Sequence, residues 1–251
     1  MTDLLYMRNN YLRDFDAKVI RIDEDFVVLD RTAFYPLGGG QTSDKGFLND
    51  EASRIAIHEV RKVEGEIRHF TSDHITFASV ANVHGELDWA HRYECMRFHT
   101  AQHVLSRYLQ LNYGVETVGN IITPGKSRAD YAPLDDFGNE MKAEVEAGVN
   151  ALLTQNLEVE TRFMERKEAI KFLKDKDYQT RYLEMVPESV REFRVLIVGD
   201  YDASSCAGTH VSNTSEVGTI AIGKSTNVGA GKRRIYFRLW DEPHQLAANS
   251  F

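Results

Sequence analysis

The chain has 251 residues, 42% hydrophobic and 27% charged, which is the balance of a globular protein and excludes a disordered or low-complexity one. Two cysteines, Cys95 and Cys206, exclude a disulfide-stapled scaffold and fit a reducing compartment, and a net charge of −8 removes any general attraction to nucleic acid or anionic membrane, so such a partner needs a local patch. Charged residues between Met1 and Asp16 leave no signal-peptide core, and no run reaches the roughly 18 apolar residues of a membrane span, so the sequence predicts a cytoplasmic protein with no membrane partner.

From Asp16 to Phe77, short apolar alternations such as Ala17–Ile22 and Phe26–Leu29 are broken by Asp, Gly and Pro. They predict several β-strands and no long helix. Within this stretch, Phe34-Tyr35-Pro36-Leu37-Gly38-Gly39-Gly40-Gln41 predicts a sharp loop, and its glycines also permit close approach to a ligand. After Trp89 the pattern changes. Ala101, Val104, Leu105, Tyr108 and Leu109 recur at helical spacing and predict an amphipathic helix from about Ala90 to Leu111. A domain boundary is therefore expected near residue 88, giving domains 1–88 and 89–251. Further helices are predicted over Glu140 to Asn156 and Arg166 to Asp175. Strands are predicted around Leu157 to Met164, Arg194 to Val198, Gly218 to Ile222 and Arg234 to Leu239, which together make an α+β second domain.

Two short motifs carry the chemistry. His99-Thr100-Ala101-Gln102-His103 puts two imidazoles one helical turn apart, on a face nearly opposite the apolar stripe. Such a pair also arises by chance. A metalloprotease is disfavoured because Thr100 stands where the general-base glutamate would be. Cys206-Ala207-Gly208-Thr209-His210 then sets a thiol and an imidazole four apart, with Gly208 expected to let a tight loop turn both inward. His99, His103, Cys206 and His210 form a nitrogen and sulfur donor set suited to one Zn²⁺. Cys95 is read as packing, and His58, His69, His74, His84 and His91 as exposed side chains. Pro124-Gly125-Lys126-Ser127 has Asn120 where a phosphate loop needs its first glycine, so no nucleoside triphosphate partner is expected.

At these residues the sequence resembles the AlaX family, the freestanding homologues of the alanyl-tRNA synthetase editing domain. His99 to His103 and Cys206 to Val211 resemble the family's paired zinc motifs, and Tyr35 to Asp44 resembles the glycine motif of its N-terminal β-barrel. Gly231 to Ile235 is similar to the basic strand that follows, so the likeness runs from about Tyr11 to Leu239. The editing domain of threonyl-tRNA synthetase is a more distant relative without the glycine motif. The resemblance implies a small N-terminal β-barrel followed by a zinc-containing α+β editing domain, as in the medium-length type. It also implies a hydrolase acting in trans on mischarged tRNA(Ala), removing serine and also glycine while sparing alanine. It further implies that the glycine loop, through Gly39, Gly40 and Gln41, contributes to the editing site.

An aminoacyl ester is easy to hydrolyse, so the demand falls on positioning and on discrimination. Serine exceeds alanine by one hydroxyl, which an apolar pocket cannot read, so a polar partner is required. Thr117 and Asn120, then Thr100, are the candidates for it, in a stretch read as a polar loop, and Gly208 is a further candidate for substrate contact. No residue stands out as general base. If all four ligands bound at once the ion would have no open position, so His210 is expected to be loosely held. Residues 217 to 240 hold Lys224, Lys232, Arg233, Arg234 and Arg238 with no acid, whereas residues 1 to 90 hold 10 basic against 16 acidic groups. The tRNA is therefore expected on Lys224, Lys232, Arg233 and Arg234, with Arg166 to Arg181 as a second run. The alternative function is a non-catalytic, zinc-stabilised RNA-binding module that uses this segment with Tyr236 and Phe237.

Overall fold

The computed structural model describes residues 2–178, 180, 183, 186–229 and 231–240. Two compact units, Met1–Met96 and Arg97–Phe251, divide the chain. The change in pattern near residue 88 marks the start of a long helix, and the units part further along that helix.

The first unit contains β1 (Asp3–Leu4), β2 (Asp14–Ile22), β3 (Phe26–Leu29), β4 (Arg31–Thr32), β5 (Gly46–Asn49), β6 (Arg54–Ile57), β7 (Glu59–Val63), β8 (Glu66–Phe70) and β9 (Asn82–Leu87). β1 pairs with β4, and the others form one antiparallel seven-stranded sheet in the order β6-β5-β9-β2-β3-β8-β7. The closed barrel expected from the resemblance is not formed, since no pairing among the described residues joins β6 to β7. Other partners take those edges. Leu37 bridges to Arg61 and donates its N–H to Val60 at 2.8 Å on β7, while the Asp73 carboxylate accepts the Ala56 N–H of β6 at 2.6 Å. Val27, Leu29, Phe34, Leu48 and Val60 are fully buried in the core of this unit.

The glycine motif makes a tight turn in which Gly38 and Gln41 exchange backbone hydrogen bonds, and Gly39 and Gly40 have φ of 55° and 82°. Two successive positive φ values at the tip of a two-residue turn are what glycine allows without strain. Asp44, at the end of the motif, accepts from Tyr35 N at 2.6 Å and pairs with the fully buried Arg92.

His69 corrects the expectation of an exposed side chain. It is fully buried, with Nε2 2.8 Å from Thr32 Oγ1 and Nδ1 3.0 Å from Val27 O. Burial lowers its pKa to about 4, against a weaker opposing effect of the Val27 carbonyl, so the ring is neutral. His84 and His91 are half-buried and also engaged, with Asp16 and Ser43 O.

α1 (Trp89–Tyr113) opens on Asp88, whose carboxylate accepts the His91 N–H, and closes on Gly114 at φ 65°, with Gly114 N bonded to Gln110 O and Val115 N to Leu109 O. β10 (Glu116–Ile121), β11 (Ser127–Ala132), α2 (Asn139–Leu153), β12 (Val159–Glu165), α3 (Arg166–Asp175), β13 (Glu192–Val198), β14 (Asp202–Ser205), β15 (Thr219–Gly229) and β16 (Lys232–Trp240) complete the second unit. They build a four-stranded sheet, β10-β11-β16-β15, and a three-stranded sheet, β12-β13-β14, both antiparallel.

Within this unit α1 touches both sheets. Phe98 packs on Phe237 of β16 at 5.7 Å between ring centroids, and His103 lies 3.1 Å from Ser204 of β14. The helix is therefore covered on its histidine side as well as on its apolar stripe. α2 lies against α1 at Gly148, where a Cβ would fall 2.3 Å from the Tyr108 ring, and its Glu146 and Asn150 side chains accept backbone N–H groups from β15.

Three strands of the second unit were not foreseen in the sequence. β10 replaces the polar loop expected around Asn120, with a bulge between Thr117 and Gly119, β11 pairs with it, and β14 precedes the cysteine motif. Pro124 to Ser127 forms the turn between β10 and β11, tied by the Ser127 hydroxyl to Thr123 N and O at 3.1 Å each. Among the described residues no helix is long and apolar enough to cross a membrane.

Candidate metal centre

α1 presents His99 and His103 on one side, and the loop after β14 presents Cys206 and His210 to them. The four donor atoms lie within 4.8 Å of one another. Cys206 Sγ is 3.2 Å from His210 Nε2 and 3.7 Å from His99 Nε2. A tetrahedral ion with bonds of about 2.0–2.3 Å separates its ligands by roughly 3.3–3.6 Å, so these spacings suit a shared ion.

The orphan atom of the site is His103 Nε2, which is buried and has no hydrogen-bond partner, while Nδ1 of the same ring is held by Ser204 Oγ at 3.1 Å with Asp202 Oδ2 at 3.7 Å. Anchoring Nδ1 in this way leaves Nε2 to ligate. Three imidazoles, one thiol and a buried nitrogen without a partner fit a borderline-soft ion such as Zn²⁺.

The electrostatics agree with the donor set. Burial opposes ionisation of Cys206, but His99, His210 and His103 outweigh it and hold the thiol well below its usual value, as a thiolate. Burial likewise opposes a charge on His103, but Asp202 and Cys206 raise its pKa to about 10. For His210 burial prevails, and its pKa falls to about 3.

His210 is not loosely held. It is 2% exposed, and its Nδ1 lies 3.3 Å from Thr100 Oγ1, which also accepts the Val211 N–H. The loop owes its shape to a residue the sequence reading passed over. Arg194 on β13, 4% exposed, donates from Nη1 to Cys206 O and Gly208 O at 2.8 Å each, and Cys206 N returns a bond to Arg194 O at 3.1 Å. Gly208 itself has no positive φ among the described glycines that do; it donates N–H to Cys206 Sγ at 3.4 Å.

Comparison with known proteins gives the same direction. The family described as tRNA synthetases class II (A) matches residues 6–91, and the threonyl and alanyl tRNA synthetase second additional domain matches residues 193–236. The alanyl-tRNA editing protein AlaX-M of Methanosarcina acetivorans is 36% identical over 249 residues, 96% of this chain and 100% of the relative. Its namesake from Saccharolobus solfataricus is 33% identical over 242 residues, 94% of this chain and 98% of the relative. The chain belongs to the AlaX family. The alanine–tRNA ligase of Pyrococcus furiosus is 34% identical over 238 residues, which are 94% of this AlaX chain but 26% of the ligase.

The remaining predicted residues of this AlaX chain fall in several places. Thr117 Oγ1 donates to Ser106 Oγ at 2.7 Å and Asn120 Nδ2 to Gln102 Oε1 at 3.3 Å, and Gln102 Nε2 donates to Ser106 Oγ at 2.6 Å. They thus join a polar network along α1 that begins next to His103. Thr100 is fully buried and supports His210 on the nitrogen away from Cys206.

Of the basic residues, Lys224 and Lys232 are exposed, but Arg234 is held by Asp130 at 2.7 and 2.9 Å, and Arg233 bonds Asp135 O. Phe237 is fully buried against Phe98, which corrects its expected contact with bases. In the second run, Arg166 spends its guanidinium on the carbonyls of Leu183, Val186, Pro187 and Val190, and Arg181 lies outside the described residues. Asp202 and Ser204 had a signal in the sequence, since they share strand parity with Cys206.

Proposed function

We propose that this protein hydrolyses, in trans, serine and glycine esterified to tRNA(Ala) and spares Ala-tRNA(Ala), using one Zn²⁺ per chain on His99, His103, Cys206 and His210. The observation that carries the reading is the convergence of these four donors within 4.8 Å, in a chain matched along nearly its whole length by alanyl-tRNA editing proteins. Bound there, Zn²⁺ would supply Lewis acidity to a water or the ester carbonyl, or an anchor for the α-amino group.

The chain's own residues set the rest. Asp202 and Ser204 orient His103, Thr100 orients His210, and Arg194 fixes the Cys206 loop. Discrimination of serine from alanine is assigned to Thr117 and Asn120, whose network with Gln102 and Ser106 can take up one further hydroxyl; glycine has no hydroxyl, and its acceptance is assigned to no residue of this network. An alanine ester lacks that hydroxyl and leaves the network without its added bond. The Gly39, Gly40 and Gln41 turn is assigned a part in activity beyond folding, and Gly208 a part in substrate contact. The tRNA is assigned to the basic segment containing Lys224, Lys232, Arg233 and Arg234.

The test is deacylation of Ser-tRNA(Ala), Gly-tRNA(Ala) and Ala-tRNA(Ala) side by side. Fast loss of serine and glycine with alanine retained supports the reading; equal rates on all three, or none, overturn it. The firm hold on His210 favours a second reading, a closed four-ligand zinc that only stabilises an RNA-binding module. Tight RNA binding with no hydrolysis in the same assay would select it.

A further inference from the structure

The outer face of the four-stranded sheet differs from the rest of this acidic chain. Along β16, Ile235 and Phe237 are fully buried, and Arg234, Tyr236 and Arg238 point the other way. β11 alternates likewise, and its register sets Arg128 opposite Tyr236 and Asp130 opposite Arg234. On this side Arg128, Asp130, Arg234, Tyr236 and Arg238 are all half-buried, in contrast to the fully buried residues they alternate with, and apart from its chain neighbours a Cβ built on Gly223 would meet within 4 Å only Tyr236.

Two lysines converge on that tyrosine. Lys126, in the turn before β11, has Nζ 4.6 Å from the ring centroid, and Lys224, on β15, has Nζ 5.3 Å from it. Two ammonium groups on one ring repel each other, and the ring quadrupole offsets only part of this. Among the described residues neither lysine has an ion-pair partner. Arg128 and Arg234 share the single carboxylate of Asp130. Surplus positive charge therefore surrounds a half-buried aromatic ring on a central strand of the sheet.

We propose that this face is an RNA-docking platform, on which an unpaired base stacks on Tyr236 while Lys126 and Lys224 hold the adjoining phosphates. Stacking needs an accessible part of a ring and phosphate contact needs cations not already neutralised, and the half-buried Tyr236 with Lys126 and Lys224 beside it brings the two together. Arg234 lies beside Tyr236 but is already engaged by Asp130, and Lys232 and Arg233, at the start of β16, fall outside the platform's centre. The inference rests on the editing reading for the identity of the RNA, and not for the mode of contact.

Anisotropy titrations of uncharged tRNA and of a short single-stranded RNA, run at several salt concentrations, test it with the full chain, Tyr236→Ala, Tyr236→Phe and Lys126→Ala/Lys224→Ala. Tyr236→Ala should weaken binding about tenfold, with Tyr236→Phe restoring it. The double lysine variant should flatten the slope of log K against log salt by about 1.4–1.8. Circular dichroism and metal content identify a variant that fails to fold, and the phenylalanine variant keeps the aromatic comparison available. Wild-type affinity and slope in the folded variants overturn the platform. An affinity insensitive to Tyr236→Ala, with heparin competing as well as RNA, also overturns it in favour of a plain polyanion patch. RNA binding through this face without hydrolysis of Ser-tRNA(Ala) supports the platform and overturns only the editing reading; hydrolysis with unchanged KM in the variants overturns the platform alone.

Discussion

Arg194 grips the loop that carries Cys206 by donating from one nitrogen to the carbonyl oxygens of Cys206 and Gly208, each at 2.8 Å. The cysteine motif is thus shaped from a neighbouring strand, and its position relative to His99 and His103 depends on a buried cation that is not itself a ligand. Replacing Arg194 with Met leaves two carbonyls without their donor, at a cost of about 1–3 kcal/mol, and should lower metal affinity about 10–100-fold. Arg194→Lys should fall between. Competition with a chromophoric chelator reads the affinity, and denaturant unfolding reads the stability; unchanged affinity in a folded Arg194→Met protein would remove the positioning role.

Metal affinity should depend on pH with a definite sign. His103 has its pKa held near 10 by Asp202 and Cys206 against the effect of burial, so ligation at neutral pH displaces its proton. Affinity should therefore rise about tenfold per pH unit between pH 7 and 9. Asp202→Asn removes the carboxylate that favours the imidazolium, so the pH dependence should flatten while the affinity at pH 9 falls. Zinc titrations at several pH values check both.

His69 gives a separate acid sensitivity in the first unit. Its folded pKa of about 4 lies below the ordinary 6.5, so the unfolded chain binds the proton more readily. The stability from keeping it neutral is present above pH 6.5 and is lost as pH falls toward 4, to a total of about 3 kcal/mol. Urea unfolding of the wild type and His69→Gln at pH 7 and pH 4.5 measures it, and the variant should show the smaller drop between the two.

At the glycine turn, folding and activity can be separated. Gly39 has φ of 55°, where a Cβ would stand 3.5 Å from Tyr35 Oη. Gly39→Val should cost about 1–2 kcal/mol through backbone strain, whereas asparagine tolerates this conformation better. Gly39→Asn should fold near normally, and a large loss of Ser-tRNA(Ala) deacylation in it would show a role beyond the turn. Full activity in Gly39→Asn would return the motif to a turn only.

Much of the fold was legible because periodicity survives where one face is buried. α1 was visible in Ala101, Val104, Leu105, Tyr108 and Leu109, and α3 was expected at its observed bounds. β10 was hidden because its bulge after Thr117 breaks the two-residue alternation and its residues are half-buried on both sides. β14 is one acidic residue, one alanine and two serines, which carry almost no hydrophobic signal. The donors of the candidate site were visible from their paired four-residue spacings. Arg194 was not, since it reaches the Cys206 loop from a strand that the sequence does not connect to it, and Asp202 and Ser204 carried only their strand parity with Cys206. His69 could have been found by parity, as it alternates in step with buried Ile67 on β8.

The central claim is that one ion on His99, His103, Cys206 and His210 carries the hydrolysis. Its most direct test is to strip the protein with a chelator and follow Ser-tRNA(Ala) deacylation as Zn²⁺ is added back in known equivalents. The account expects activity to rise linearly and level off at one equivalent per chain, with no recovery in Cys206→Ala or His103→Ala; full activity in the stripped protein would contradict it.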